Sequence, residues 1–111
     1  MVYGSMGGDG QPQTQSALLS RIAGYGVGLQ DAITRPRWLL GRTWGNPSTS
    51  LKLESRFAPE VFETLRRYGH DVEKVGAFDE MMGHAGAISR NPSGLLEGGC
   101  DPRSDGCVAA Y

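Results

Sequence analysis

The sequence predicts an α+β fold with mostly antiparallel sheet and packed helices. Three observations support this prediction: short alternating apolar segments typical of strands, longer stretches of helical periodicity, and an Asn-Pro-Ser-Gly segment at residues 91–94 with the pattern of a type I turn. The turn joins two strands into an antiparallel hairpin. The predicted order, β-α-α-β-β-α-β-β-β, is not a regular alternation of strands and helices, so it favours α+β over a βαβ repeat.

The first third of the chain contains the end of a strand, a glycine-rich loop and two helices. Val2 and Tyr3 end the strand, and residues 4–10 form the loop. Residues 13–25 have helical periodicity and are followed by glycines. A second helix at residues 29–34 stops before a proline, because the residue preceding proline disfavours the helical conformation. The apolar stripe of the first helix is expected to contain Leu18, Leu19, Ile22 and Tyr25.

The middle of the chain contains two short strands and the helix with the strongest sequence signal. Residues 38–40 form a short apolar strand, residues 45–50 have loop composition, and residues 51–54 alternate apolar and polar as a half-buried strand does. The helix occupies residues 59–68, since proline suits a first helical position and glycine follows the last turn. Its apolar stripe is expected to contain Val61, Phe62, Leu65 and Tyr68, with Glu63 and Arg67 paired on the solvent side.

Three strands and a C-terminal segment complete the chain. Strands are predicted at residues 72–77, 84–90 and 95–99, the last two being the arms of the hairpin. Residues 107–111 are either a last strand or a tail. The sequence contains no internal repeat and no linker, so residues 1–111 are predicted to form a single domain.

The composition argues against several classes of partner. The 111 residues include 11 basic and 12 acidic side chains, which leaves a net charge of −1 and no basic excess for binding nucleic acid. The longest apolar runs are only a few residues, too short to cross a membrane. The N-terminus lacks the basic and apolar regions of a signal peptide, so a cytoplasmic location is the default expectation.

The two cysteines, Cys100 and Cys107, do not predict a metal site. Two cysteines and two distant histidines have no usual zinc-ligand spacing. The segment between them, residues 101–106, has turn composition. Because disulfides are rare inside cells, we favour two free thiols over a disulfide, and both alternatives stay open.

The glycine-rich loop is the main candidate for chemistry. Backbone N–H groups at the start of a helix, helped by the partial positive charge there, suit a phosphate or the oxyanion of an acyl-transfer intermediate. The phosphate alternative lacks both a Gly-Lys-Ser/Thr sequence and the G-x-G-x-x-G spacing. From the loop alone, a tight turn without a ligand is the favoured interpretation.

Five segments together resemble the γ-glutamyltranspeptidase family. They occur in the family's order and cover essentially the whole chain, and their combination is specific although each is weak alone. The first is similar to the family's Gly-Ser-x-Gly-Gly segment, the second to its Ala-x-x-x-Pro-Arg, and the third to its Leu-x-x-x-Gly-His-x-Val. The segments are residues 4–15, Ala32-Ile33 with Pro36-Arg37-Trp38, and residues 65–72, 82–88 and 101–106.

The resemblance implies a fold and a reaction. The family has the N-terminal-nucleophile hydrolase architecture, a four-layer αββα sandwich, of which this chain would form part. A precursor cleaves itself, and the new N-terminal threonine attacks a γ-glutamyl amide such as that of glutathione. The acyl-enzyme then passes the glutamyl group to an amine or to water. No metal or organic cofactor is needed.

The resemblance assigns two site residues and leaves the nucleophile unassigned. The family's consecutive oxyanion-hole glycines correspond to Gly7 and Gly8, whose N–H groups would stabilise the intermediate. No threonine of this chain stands in the family's Thr-Thr-His/Tyr-x-Ser segment, and the substrate-binding residues are unknown. The chain is therefore expected to be the C-terminal part of the small subunit, inactive without its partners, the upstream segment and the large subunit. Its threonines are Thr14, Thr34, Thr43, Thr49 and Thr64.

Structural interpretations are favoured for five further residues. His84 is either a proton shuttle or a structural hydrogen bonder, and we favour the second. His70 is expected to serve the C-terminal cap of its helix. Arg37, Trp38 and Trp44 either form a cation–π cluster lining a site or simply pack, and packing is favoured.

The last segment contains three charged residues close together. Asp101, Arg103 and Asp105 either bind substrate or form an internal ion-pair turn that locks the C-terminus. We favour the ion-pair turn, because buried charges are usually paired.

Three hypotheses cover the whole protein. The first is γ-glutamyl transfer or hydrolysis, the second is a non-catalytic truncated relative that acts as an interaction module, and the third is an acylase of the same fold. A part of a sandwich would expose a sheet edge and an apolar face, so self-association into a homo-oligomer is also expected.

Overall fold

The computed structural model describes residues 1–42 and 47–111 and contains two three-stranded sheets with packed helices. The helices are α1 (Gln11–Leu19), α2 (Leu29–Thr34) and α3 (Pro59–Arg67), with 3₁₀ turns at Gly8–Gly10 and Glu80–Met82 and a π-helical segment at Ser20–Gly24. The strands are β1 (Val2–Ser5), β2 (Trp38–Leu40), β3 (Leu51–Glu54), β4 (Val72–Val75), β5 (Ala85–Arg90) and β6 (Leu96–Cys100).

The first sheet has the order β1-β5-β6 and is antiparallel throughout. The predicted hairpin joins β5 to β6, and Gly94 turns the chain with a φ of 90°. Helix α2 approaches β6 closely because Gly99 has no side chain: a Cβ there would lie 2.8 Å from Ile33 Cδ1. The core between the helices and this sheet contains Leu18, Leu29, Ile33, Ala85 and Ala87, with Tyr3 and Ile22 packed against it.

The second sheet has the order β2-β3-β4 and mixes two pairing directions. Strands β2 and β3 are antiparallel, whereas β3 and β4 are parallel and are connected through α3. This β3-α3-β4 crossover is a βαβ unit inside an otherwise α+β arrangement. Helix α3 makes the parallel pairing possible, since parallel strands need a long crossover connection.

Two glutamine side chains occupy sheet edges. The Gln13 amide donates to the Leu40 carbonyl at 3.0 Å and accepts from the Leu40 N–H at 2.8 Å. The Gln30 amide makes the same pair of bonds with Cys100, at 2.9 Å and 3.1 Å. Each amide thus replaces a neighbouring strand at one residue, which satisfies backbone groups that an edge strand would leave open.

The predicted elements are confirmed more closely than the predicted stripes. Helix α2 and strands β2 and β3 coincide with the predicted ranges. The predicted helix at residues 13–25 is divided into α1 and the π-helical segment. A π-helix has a wider turn, so the regular apolar stripe does not continue through it. Tyr25, after this segment, is consequently exposed. Leu19 is exposed within α1 because the neighbouring Leu18 occupies the buried side. The assignment of both residues to the stripe is wrong.

The structure also corrects two predictions about α3 and decides between the two alternatives for the C-terminus. Tyr68 is 74% exposed, so it lies outside the buried stripe of α3. Within residues 1–42 and 47–111 no ion pair joins Glu63 to Arg67, whose Nη2 instead lies 3.5 Å from Thr64 Oγ1. Residues 107–111 form a tail without strand structure. In the described part of the chain no helix is long and apolar enough to cross a membrane.

Candidate active-site loop and the ion network that supports it

The glycine-rich loop connects β1 to α1 and contains both residues assigned to the oxyanion hole. Gly7 is buried with a φ of 138°, and Gly8 is exposed with a φ of 51°. L side chains rarely adopt either angle, so the path of the loop depends on glycine at both positions. The Gly10 N–H donates a 2.9 Å hydrogen bond to the Gly7 carbonyl and closes the turn.

The loop brings backbone donors to the start of a helix. Gly8 opens the 3₁₀ turn that continues directly into α1. The first N–H groups of a helical segment have no partner within that segment, and the helix dipole adds partial positive charge there. The arrangement can therefore stabilise a negatively charged oxygen, such as the oxyanion of an acyl-transfer intermediate.

Gly83 lies directly against the start of the loop. It has a φ of 78°, and a Cβ at this position would collide with the Met6 carbonyl and lie 2.7 Å from Ser5 Oγ. The Met6 N–H donates to the His84 carbonyl at 3.2 Å, which extends the β1–β5 pairing up to the loop. Met6, the residue before Gly7, thus bonds to the strand partner through its N–H and has its carbonyl close to the backbone of Gly83.

Arg37 lies beneath this contact and is almost completely buried. Its Nη1 donates to the carbonyls of Met82 and Gly83, at 3.2 Å and 2.9 Å. Its Nη2 forms an ion pair of 2.5 Å with Asp101, whose carboxylate also accepts a 2.7 Å bond from the Ala85 N–H. Arg37 therefore connects the support of the loop to the C-terminal segment.

Arg103 extends the ion pairing to β3. Its guanidinium donates at 3.0 Å to Asp101 and at 2.6 Å to each carboxylate oxygen of Glu54. Arg56 binds the same Glu54 at 2.9 Å and places its guanidinium 3.8 Å from the centre of the Phe78 ring. We call this cluster the ion network; it consists of Arg37, Glu54, Arg56, Asp101 and Arg103.

The family model for γ-glutamyltranspeptidase matches residues 1–111, the whole chain. The chain belongs to the γ-glutamyltranspeptidase family. The resemblance drawn from the five sequence segments is thereby confirmed.

Curated relatives in the γ-glutamyltranspeptidase family are proenzymes of much greater length. The chain is 67% identical over 111 residues to the oxamate amidohydrolase proenzyme of Klebsiella pneumoniae and covers 21% of it. It is 48% identical to the glutathione hydrolase-like YwrD proenzyme of Bacillus subtilis, with 97% of the chain and 21% of the relative aligned. It is 31% identical to the glutathione hydrolase proenzyme of Escherichia coli and covers 18% of that protein. The chain thus spans about a fifth of the length of these relatives.

Solved structures confirm the fold. The cephalosporin acylase of Bacillus halodurans matches 98% of the chain with a TM-score of 0.84 and 34% identity, over 19% of its own length. The γ-glutamyltranspeptidase of Pseudomonas nitroreducens matches 99% of the chain with a TM-score of 0.80 and 22% identity, over 54% of the solved chain. The α+β arrangement is part of an N-terminal-nucleophile hydrolase sandwich, as predicted.

Charge and burial shift the pKa values of three members of the ion network in different directions. Burial lowers the pKa of Arg37, and the positive charge of Arg103 lowers it further. Burial opposes the charge of Arg103 too, but hydrogen bonds and attraction from Glu54 outweigh it and raise the pKa. Burial alone would raise the pKa of Asp101, yet the Ala85 N–H and the two arginines bring it below its ordinary value. The surroundings therefore favour the ionised forms of Asp101 and Arg103.

The predicted ion-pair turn is confirmed for two of its three residues. Asp101 and Arg103 are buried and paired, whereas Asp105 is exposed. Glu54 was not predicted as a partner, because the alternation in residues 51–54 places it with the polar positions of a half-buried strand, whereas Lys52 and Glu54 are both buried in the structure.

Of the remaining predicted residues, some have the predicted role and others do not. The backbone N–H of His70 donates to the Leu65 carbonyl at 3.1 Å and caps α3, as predicted. His84 differs from its prediction, because its Nε2 is buried and has no hydrogen-bond partner in residues 1–42 and 47–111. Arg37 pairs with Asp101, while Trp38 lines a separate apolar groove beside α3. Trp44, the third member of that predicted cluster, lies outside the described residues.

The described residues contain no cluster of three or more histidine, cysteine, aspartate or glutamate side chains able to hold a metal ion. Cys100 and Cys107 are both free thiols in the structure.

Proposed function

We propose that this chain supplies the oxyanion loop and part of the scaffold of an enzyme that cleaves amides through an acyl-enzyme. The substrates are γ-glutamyl amides such as glutathione, and the acyl group passes to water or to an amine. The attacking threonine lies in another part of the enzyme, together with the residues that bind the glutamyl group. The chain's partners are those other parts, and the 111 residues alone are inactive.

The conformation of Gly7 and Gly8 carries this proposal. Their φ angles of 138° and 51° turn the chain at the entrance to the 3₁₀ turn that leads into α1. Gly83 and Arg37 support the loop from the buried side, so the donors are held before a substrate arrives. Such preorganisation is what makes an oxyanion hole effective, and a single donor contributes about 3–4 kcal/mol to stabilising the transition state.

A second candidate is hydrolysis of a small amide without a glutamyl group. The chain is 67% identical to the oxamate amidohydrolase proenzyme and 31% identical to the glutathione hydrolase proenzyme of Escherichia coli. The likeness to a cephalosporin acylase favours the related possibility of an acylase. All three use the same oxyanion loop, so they differ in substrate and share the role of Gly7 and Gly8.

A chimera tests the proposal. The 111 residues replace the matching segment of the Klebsiella proenzyme, and the purified protein is assayed with γ-glutamyl-p-nitroanilide, glutathione, oxamate and a cephalosporin side-chain amide. Turnover of oxamate is expected, because the 111 residues supply the loop while the parent supplies the nucleophile and the substrate-binding residues. The candidate substrates are distinguished by the kcat/KM values of this chain's own full-length protein with the same amides.

Two controls complete the test. The 111-residue chain alone is expected to give no turnover of any of these amides, and activity in it would overturn the claim that the nucleophile lies elsewhere. A chimera with the parent's thermal unfolding transition but no activity on any amide would favour the second hypothesis, a non-catalytic relative.

A further inference from the structure

Two thiols lie beside the C-terminal tail on the outer face of the β1-β5-β6 sheet. Cys100 ends β6 and is half-buried, and Cys107 begins the exposed tail. Both line one groove of about 620 Å³. Cys100 Sγ lies 3.3 Å from the carbonyl oxygen of Gly106, the residue bonded directly to Cys107. One peptide group therefore separates the Cys100 sulfur from the backbone of the second cysteine.

The chain is anchored on both sides of Cys107. On one side, Arg103 and Asp101 fix the turn through an ion pair of 3.0 Å that is fully buried. On the other side, Val108 packs onto the sheet at Gly98, where a Cβ would lie only 2.7 Å from Val108 Cγ1. The fold therefore keeps Cys107 close to Cys100 for more of the time than a flexible peptide with the same spacing of cysteines would.

We propose that Cys100 and Cys107 form a reversible dithiol–disulfide site that locks the tail onto this sheet face. A disulfide requires Cβ atoms about 3.5–4.5 Å apart. A Cβ at Gly106 would lie 3.9 Å from Cys100 Cβ. This distance is within the disulfide range, and Gly106 is the residue directly before Cys107. Residues 106–111 belong to no helix or strand, so backbone rotation at Gly106 and Cys107 brings the Cys107 sulfur toward Cys100 while Val108 stays at Gly98. The Cys100–Gly106 hydrogen bond is lost when the disulfide forms.

The oxidant is a small disulfide such as oxidised glutathione. The exposed Cys107 thiolate attacks one sulfur of the oxidant, forms a mixed disulfide and releases one glutathione thiolate. The Cys100 thiolate then attacks the Cys107 sulfur of that mixed disulfide. The Cys100–Cys107 bond forms, the second glutathione leaves as thiolate, and both protons of the protein thiols pass to solvent. Two electrons move from the protein to the oxidant, and excess reduced glutathione reverses the sequence.

The test measures the equilibrium of the 111-residue chain with mixtures of oxidised and reduced glutathione. After acid quenching, mass spectrometry separates the dithiol, the mixed disulfides and the intramolecular disulfide, which is two hydrogens lighter than the dithiol. The intramolecular form is expected to dominate in the native chain. Its effective concentration is expected to be at least about tenfold higher in buffer than in concentrated urea, because the fold holds the two thiols together.

Variants distinguish the fold's contribution from simple proximity in sequence. Cys100→Ser and Cys107→Ser are expected to stop at a mixed disulfide or an intermolecular dimer. Val108→Asp removes the contact at Gly98 and is expected to lower the native effective concentration toward the urea value, whereas Ser93→Asp at the opposite end of the hairpin leaves it unchanged. An effective concentration equal in buffer and urea, or mixed disulfides as the main native product, would overturn the proposal.

Discussion

Arg103 donates from Nε and Nη2 to the two carboxylate oxygens of Glu54, at 2.6 Å each. The two residues lie 49 positions apart in the sequence. Neither side chain is exposed to solvent. The parallel hydrogen bonds match the planar fork of arginine, and the pair joins β3 to the C-terminal segment. Through Asp101 and Arg37 the same network reaches the carbonyls beneath the glycine loop.

Replacing this arginine by lysine is expected to destabilise the chain. Arg103→Lys keeps the charge but removes the fork, and leaves a carboxylate buried without its full set of donors. The free energy of unfolding is expected to fall by about 3 kcal/mol, in the range found when a buried ion pair is broken. Urea denaturation measures the change. Arg35→Lys is the matched control, because the Arg35–Asp31 pair is exposed and an exposed pair contributes at most about 1 kcal/mol.

Acid is expected to unfold the chain through Asp101. The pKa of this carboxyl is lower in the folded chain than its ordinary value of 3.8, since the Ala85 N–H and the arginines outweigh the effect of burial. The carboxylate therefore contributes stability that is fully present above pH 3.8 and is lost as the pH falls toward the lower folded value.

The Asp101→Asn variant tests the assignment. Its free energy of unfolding should be lower at neutral pH and depend less on pH below 3.8 than that of the unmodified chain. Asp105→Asn is the control, because Asp105 is exposed and its variant should keep the original acid dependence. An identical pH profile for both variants would place the acid sensitivity in another group.

The local elements were predictable because their signals are local. Proline at the start of α3, alternation in β3 and the turn before β6 all act within a few residues, and these elements lie where predicted. The exposed Tyr25 shows the limit of periodicity, since a single π-helical segment changes which side chains share a face.

The support of the candidate site was only partly predictable. Asp101 and Arg103 stand in one short segment and were predicted to pair. Glu54 is 49 residues from Arg103 and lies on a strand of the other sheet, so only the fold brings the two together. The contact of Gly83 with the glycine loop is equally non-local. The sequence showed the glycine but gave no sign of the backbone it approaches.

Alanine at Gly83 is expected to cost more stability than alanine at Gly94. Both glycines have positive φ, at 78° and 90°, so either substitution strains the backbone by about 1–2 kcal/mol. Only the Gly83 Cβ also collides with the Met6 carbonyl, which adds about 1–3 kcal/mol of overpacking. Urea denaturation of the two variants measures the difference. Equal losses would mean that the loop moves away from Gly83 without cost.

The 111-residue chain is expected to self-associate through the outer face of the β1-β5-β6 sheet. Ile88 is 55% exposed on this face and lies opposite Val2 in the strand pairing, and both side chains are apolar. Exposed apolar patches of this kind favour association. Light scattering of the concentrated chain should show an oligomer, and Ile88→Asp should shift it toward monomer. Leu19→Asp, on the exposed side of α1, should not. A monomer at high concentration would contradict the expectation.

A side chain at Gly8 is expected to remove catalysis without unfolding the protein. In the chimera with the Klebsiella proenzyme, Gly8→Ala forces an L residue to a φ of 51° and moves the N–H away from the position of the oxyanion. The value of kcat should fall about 100- to 1000-fold, the loss that accompanies removal of one oxyanion-hole donor, while KM changes little. Gly24→Ala is the matched control, because a Cβ there meets no atom within 4 Å and no positive φ is required. If Gly8→Ala and Gly24→Ala have equal kcat and equal thermal stability, the loop does not bind the oxyanion.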